Sequence, residues 1–174
     1  AMKSKTFVTF EMDDPILASQ ELLQQIKDNF SLLKNSIGLL FCYSDMDVTW
    51  FASELQKQIG IPVIGGTTIA SLEAQEGFHE MAITLLVLTA DDCDFAVSVS
   101  ESITKDTIKQ KVTDAYNQAV SALDATPGLV FAIAPYQLDI MLDAYTDIFT
   151  EIAPNIPVVG GLPFDDFHAV AGAD

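Results

Sequence analysis

Two short motifs occur twice in this chain, and their repetition limits the folds open to it more than any other feature. Gly38-Leu39-Leu40-Phe41 is echoed by Gly128-Leu129-Val130-Phe131, and Ile61-Pro62-Val63-Ile64-Gly65-Gly66 by Ile156-Pro157-Val158-Val159-Gly160-Gly161. The echoes lie 90 and 95 residues apart, with a helical segment between the motifs each time. Two related strand–helix–strand units account for this, each a right-handed crossover between parallel strands. A Gly-Gly pair permits positive φ, or lets another backbone or a ligand come into contact with the main chain. Ligands of open α/β sheets sit outside the carboxyl ends of strands. Both pairs occupy such ends, so pseudo-symmetry is expected to bring Gly65, Gly66, Thr67 and Thr68 to one crevice with Gly160 and Gly161. The competing reading makes them sharp exits needed only for chain reversal.

The remaining pattern fills in around these units. Thr6 to Glu11 alternates as a first strand. Asp13 or Asp14 caps a helix with Pro15 in its first turn and a stripe of Leu22, Leu23, Ile26, Phe30 and Leu33. Gly38 to Tyr43 is a continuous apolar strand, the pattern of one covered on both faces. A helix capped near Asp45 or Asp47 follows, with Val48, Phe51, Ala52, Leu55 and Ile59 facing inward and Gly60 ending it. Ile61 to Thr67 is the next strand. Met81 to Thr89 and Phe95 to Glu101 read as an antiparallel hairpin across Ala90 to Asp94. Thr104 to Ala125 is the longest helix. Gly128 to Ala134 is a further buried strand, Leu138 to Ala153 a helix, and Ile156 to Gly161 the last strand. The expected fold is α/β, a mixed and largely buried sheet with two pseudo-repeated β-α-β crossovers, a central antiparallel hairpin and flanking helices. No linker divides the chain, so residues 2–174 are expected to form one domain, Ala1 being a tag-cleavage remnant.

Composition narrows the partners. Hydrophobic residues make up 49% of the 174 and mean hydropathy is +0.30, so a sizeable core is expected and disorder is excluded. The net charge is −17, from 25 acidic residues against eight basic ones, all lysine. Such a surface repels phosphate backbones and anionic head groups, so neither nucleic acid nor membrane is an expected partner. Without arginine the chain also lacks the planar fork that clamps carboxylates and phosphates. Cys42 lies in an apolar run and Cys93 in an acidic turn, which is no disulfide framework, and a cytoplasmic location is expected. The longest apolar run, Met81 to Ala90, is far short of the roughly 20 residues a spanning helix needs.

Ile64-Gly65-Gly66-Thr67-Thr68, Gly77-Phe78, and Pro157-Val158-Val159-Gly160-Gly161 followed by Asp165-Asp166 resemble the amino-terminal half of a FIST domain. The resemblance covers most of the chain. It implies a sensory module of intracellular signal transduction that binds a small polar metabolite, amino acids among them. Such a module passes its signal to an output domain such as a kinase or cyclase, or to a companion domain. Two departures stand out. Ala70-Ser71 replaces the Gly-Glu that often follows the family's Thr-rich turn, and the chain stops at Asp174, where the family continues into a carboxy-terminal half. The chain is accordingly expected to be a fragment or a member lacking half of the usual site. A sheet edge left open there would pair two chains as a homodimer.

The candidate ligand-binding residues are Ser44, Asp45, Gly65, Gly66, Thr67, Thr68, Tyr136, Gly160, Gly161 and Asp165. A ligand carboxylate would be held by main-chain N–H groups, hydroxyls or a helix N-terminus, and Ser44 and Asp45 stand between a strand and a helix. Pro135, Tyr136 and Gln137 take that place in the second unit. Asp45 and Asp165 would face a ligand ammonium group, although Asp45 as a plain helix cap explains it equally. Glu73, Glu76 and His79, three apart, would ligate a metal on a helix, but Gly77 argues against one. No cofactor and no catalytic residue is called for. A small-molecule hydrolase or transferase using Cys42, Glu76 or His79 is the enzyme alternative, and a protein–protein scaffold with an acidic face is the third.

Overall fold

The computed structural model describes residues 1–43, 45–163 and 170–171, which form two compact units. The first holds Ala1–Phe95 together with a short strand at Val170–Ala171, and the second holds Ala96–Pro163.

In the first unit β1 (Lys3–Thr9) leads to α1 (Pro15–Asn29), β2 (Asn35–Tyr43), α2 (Val48–Ile59) and β3 (Val63–Thr68). The small strands β4 (Ser71–Glu73) and β5 (Gly77–His79) precede β6 (Ile83–Ala90). Each helix starts where a side chain satisfies its free amides. Asp14 accepts from the Ile16 and Leu17 N–H groups, with Pro15 next in line, and Asp47 accepts from Trp50 N–H. Gly60 closes α2 in the left-handed conformation, at φ +78°, and donates to Gln56 O.

The sheet runs β1-β6-β2-β3-β9, with β9 the Val170–Ala171 strand. Only β2 and β3 are parallel; β6 is antiparallel to both neighbours. Phe7, Leu85, Leu40 and Gly65 stand opposite one another in register, making one row across four strands. Leu22, Ile26, Val48, Phe51 and Leu55 from the two helices pack over that face with Cys42, Val63, Ile83 and Val87. Burying side chains of this size supplies about 1.5–3 kcal/mol each, and the chain's alternation puts them all on one side.

The second unit contains α3 (Ile108–Ser121), β7 (Val130–Ile133), α4 (Asp143–Ile152) and β8 (Val158–Gly161). β7 and β8 are parallel with α4 between them, so the second crossover forms as the repeat requires. Its core gathers Ile103, Ile108, Val112, Ile140, Tyr145 and Ile148, none of them on β7 or β8. β7 is consequently half-buried rather than the buried strand its apolar run predicts, and β8 is exposed.

One predicted element does not form. Phe95 to Glu101 is not a strand, because β6 has β1 on one side and β2 on the other and no edge remains for a hairpin partner. Ser98 instead donates its hydroxyl proton to Ala115 O of α3. The antiparallel hairpin of the first unit is β4–β5, with Ser71, Leu72 and Glu73 opposite His79, Phe78 and Gly77.

The repeat is real but its register differs from the sequence echo. Gly38 N–H donates to Pro62 O at 2.9 Å, and Val130 N–H to Pro157 O at 2.9 Å. Gly65 pairs with Leu40, and Gly160 with Ala132. Gly38 therefore corresponds to Val130 rather than to Gly128, a slide of two residues that preserves which face each side chain occupies. At the second motif the echo holds without a shift, for a steric reason. A Cβ on Gly65 would stand 1.8 Å from Leu40 O, and one on Gly160 would stand 1.7 Å from Ala132 O. Gly160 alone of the two pairs has positive φ, +154°. Gly65→Ala and Gly160→Ala should each cost about 1–3 kcal/mol or more, because backbone rather than a flexible side chain has to yield. Gly161→Ala, with open space around its Cα, should stay within about 0.5 kcal/mol. Urea unfolding of the three variants checks the contrast.

Candidate functional site

The carboxyl ends of the two parallel pairs are where ligands of such sheets bind, and the predicted residues are distributed between them. In the first unit Cys42 stands opposite Thr67, and Tyr43 opposite Thr68. The chain then turns, Met46 N–H donating to Tyr43 O, before Asp47 starts α2. Asp45 is exposed in that turn and is not the cap; Asp47 is. Helix capping therefore does not account for Asp45, which stands exposed two residues before the cap of α2. Gly65, Gly66 and Thr67 are buried within β3. The Thr68 hydroxyl donates to Ala70 O at 2.6 Å and accepts from Ala70 N–H at 3.3 Å, so it serves a local turn. Gly65 is glycine because the Leu40 carbonyl lies against it, a backbone neighbour rather than a vacancy.

In the second unit Ala134 N–H donates to Gly161 O at 3.1 Å, which extends the ladder to the carboxyl ends of both strands. The Tyr145 hydroxyl donates to Pro135 O and the Gln137 amide to Ile103 O, fixing the loop on either side of Tyr136. Tyr136 to Leu138 and Ile140 to Asp143 then line an open groove of about 470 Å³ that leads to the N-terminus of α4. Leu142 stands at the cap position of that helix and has no side chain able to accept from its first amides. The sequence motifs missed this groove, because Leu138 to Leu142 read as the first turn of a helix. The signal against a helix there was the absence of a Ser, Thr, Asp or Asn cap before Leu138. Gly160 and Gly161 are exposed. Ser44 and Asp165 lie outside the described residues.

The enzyme candidates fare differently from one another. Cys42 is fully buried in β2, and burial, joined by the Asp47 charge, pushes its thiol far above the usual range. Such a sulfur stays protonated and is a poor nucleophile. Glu73, Glu76 and His79 are not on a helix. Glu73 ends β4 and its carboxylate accepts from the N–H groups of Gln75, Glu76 and Gly77, which ties the β4–β5 turn together. Gly77 takes φ +93° in the same turn. His79 Nε2 is 3.5 Å from Glu73 Oε1, in ion-pair range but without hydrogen-bond geometry, and Phe10 meets the imidazole edge-on at 4.9 Å. Glu76 points to solvent. Among the described residues no three His, Cys, Asp or Glu side chains are grouped to hold a metal ion. No helix among them is long and apolar enough to cross a membrane.

In comparison with known families, the model described as the FIST N domain matches residues 36–171, most of the chain. No curated protein matches.

The Glu73 turn carries a pH signature. The Gln75 N–H is the foremost influence holding this carboxyl below its ordinary value of 4.5, ahead of opposing desolvation, with Glu76, His79 and Gly77 adding to it. A group whose folded pKa is depressed lends stability that is whole above its unfolded pKa and is lost as pH falls through the folded one. Glu73→Gln should therefore lower the melting temperature by a constant amount above pH 4.5, and the gap to wild type should narrow below it. Melting curves of both proteins across that range check the expectation.

Proposed function

The chain belongs to the FIST N domain family, and from that premise we propose that it is a non-catalytic receptor for a small polar metabolite bearing an ammonium group, an amino acid being the leading class. FIST domains are sensory domains of signal transduction, so the reading concerns which ligand is sensed and where. The observation that carries it is the exposed Asp45 carboxylate at the carboxyl end of the β2–β3 pair, left without the capping role that Asp47 performs. In a chain without arginine, a ligand carboxylate would be met by main-chain N–H groups of the kind a helix start presents. Asp45 faces the ammonium group in this reading; Thr67 and Thr68 shape the end of β3, and Gly65 and Gly66 keep its path close to β2. Tyr136, Gly160 and Gly161 play the corresponding part at the end of the β7–β8 pair, where Gly161 leaves open space. Ser44 and Asp165 remain part of the proposed ligand set.

A cytoplasmic location belongs to the same proposal and is supported by the exposed free thiol of Cys93. So does transmission to an output domain or a carboxy-terminal FIST half. The enzyme alternative has less behind it: the family is one of sensory domains and the Cys42 thiol is held neutral.

Thermal-shift screening with amino acids and small amines tests the proposal. A ligand at 100 times its Kd should stabilise the protein by about 2.7 kcal/mol. Asp45→Asn should abolish that shift while leaving the unliganded melting temperature within error, since Asp47 rather than Asp45 caps α2. A full shift retained by Asp45→Asn, or no shift from any amine, would overturn it.

A further inference from the structure

The β4–β5 hairpin is amphipathic in the reverse of the usual sense. Its buried positions are polar, Ser71 and Glu73 on β4, while the residue between them, Leu72, is 81% exposed. Phe78, directly opposite Leu72 in register, is 64% exposed. A cross-strand pair of this kind presents one continuous apolar face. The pair cannot turn inward, because a slip of one residue would be needed and the three N–H bonds to Glu73 fix the turn. Ile69 and Met81, which flank the hairpin on either side, are exposed as well. Single exposed apolar residues are ordinary, but a preorganised run of them marks an interaction site.

Charge selects the occupant. The segment 69–81 carries Glu73, Glu76 and Glu80, and no lysine occurs between Lys57 and Lys105. A second copy would bring the same acidic rim against itself, and an anionic membrane would repel it. We propose that the Leu72–Phe78 face docks a segment of another protein that carries aliphatic or aromatic anchors flanked by lysine or arginine. The apolar pair supplies the anchor contact, and Glu76 and Glu80 meet the basic flanks.

The experiment uses the full chain and a labelled, roughly 16-residue amphipathic peptide of leucine and lysine. Two companions accompany it, one with glutamate in place of lysine and one with serine in place of leucine. Fluorescence anisotropy at about 0.15 M salt keeps long-range attraction screened. The leucine–lysine peptide should bind and both companions should not. Leu72→Ser with Phe78→Ser should weaken binding at least about tenfold, as should Leu72→Lys alone, whereas Leu129→Ser, exposed in the second unit, should change nothing. Melting temperatures of the variants should match wild type, because the replaced side chains face solvent. Equal binding by the hairpin variants would reduce the effect to net charge and overturn the proposal. So would absence of binding by wild type, or self-association in sedimentation that the double variant abolishes.

Discussion

A carbonyl oxygen pressed against a Cα hydrogen sets the geometry of both crossovers. Leu40 O against Gly65 and Ala132 O against Gly160 leave no room for a Cβ, and each contact lies in the middle of a parallel pair. Parallel strands are joined only through a crossover element, so the contact also fixes where the helix between them can lie. In the first unit this places Val48, Phe51 and Leu55 of α2 over the row that runs from Phe7 to Gly65. The same contact explains why the second motif of the repeat is better kept than the first. Gly38 has a side chain of β6 within 3.1 Å of its would-be Cβ, Leu85, and a side chain can move aside. The second unit accordingly sets Val130 at the corresponding position, whereas the carbonyl against Gly65 or Gly160 tolerates no such exchange.

Much of the first unit was legible in the residues because its signals are local. Asp14 before Pro15, Gly60 after the α2 stripe and the apolar run from Gly38 to Tyr43 each state a boundary through an interaction with near neighbours. What stayed hidden depends on partners distant in sequence. The alternation of Phe95, Val97 and Val99 matches a strand, yet a strand also needs a free edge, and β1 and β2 had already taken both edges of β6. Likewise Val130 to Ile133 has the composition of a buried strand, but burial requires a layer on each face. The apolar side chains of α3 and α4 are instead spent on one another and on Ile103 and Ile140.

The candidate site shows the same division. That Gly65 and Gly160 would take equivalent places in the two crossovers followed from the repeat. That Asp47 rather than Asp45 would cap α2 did not, since both lie within reach of a first turn and only the backbone path decides. Thr68 looked like a free hydroxyl, but Ala70 takes it, a local bond that a Thr followed two residues later by a turn commonly makes. Family membership adds the class of function to this geometry and leaves the ligand to be inferred from chemistry: an acidic chain, no guanidinium, and an exposed carboxylate that is not the cap of α2.

Glu73 illustrates how one side chain can create a surface it does not belong to. Read as a possible metal ligand or acid–base group, it is instead consumed by three backbone amides, which is why it can be buried at all. Those bonds close a turn only three residues long, and the closed turn dictates the parity of both flanking strands. With Glu73 facing in, Leu72 has to face out, and register carries Phe78 out with it. An apolar residue at position 73 would remove the reason for that parity, allowing the strand to slip and hide Leu72. The polar interior of the hairpin is therefore the cause of its apolar exterior, and an exposed Leu–Phe pair held in this way is a built feature of the fold.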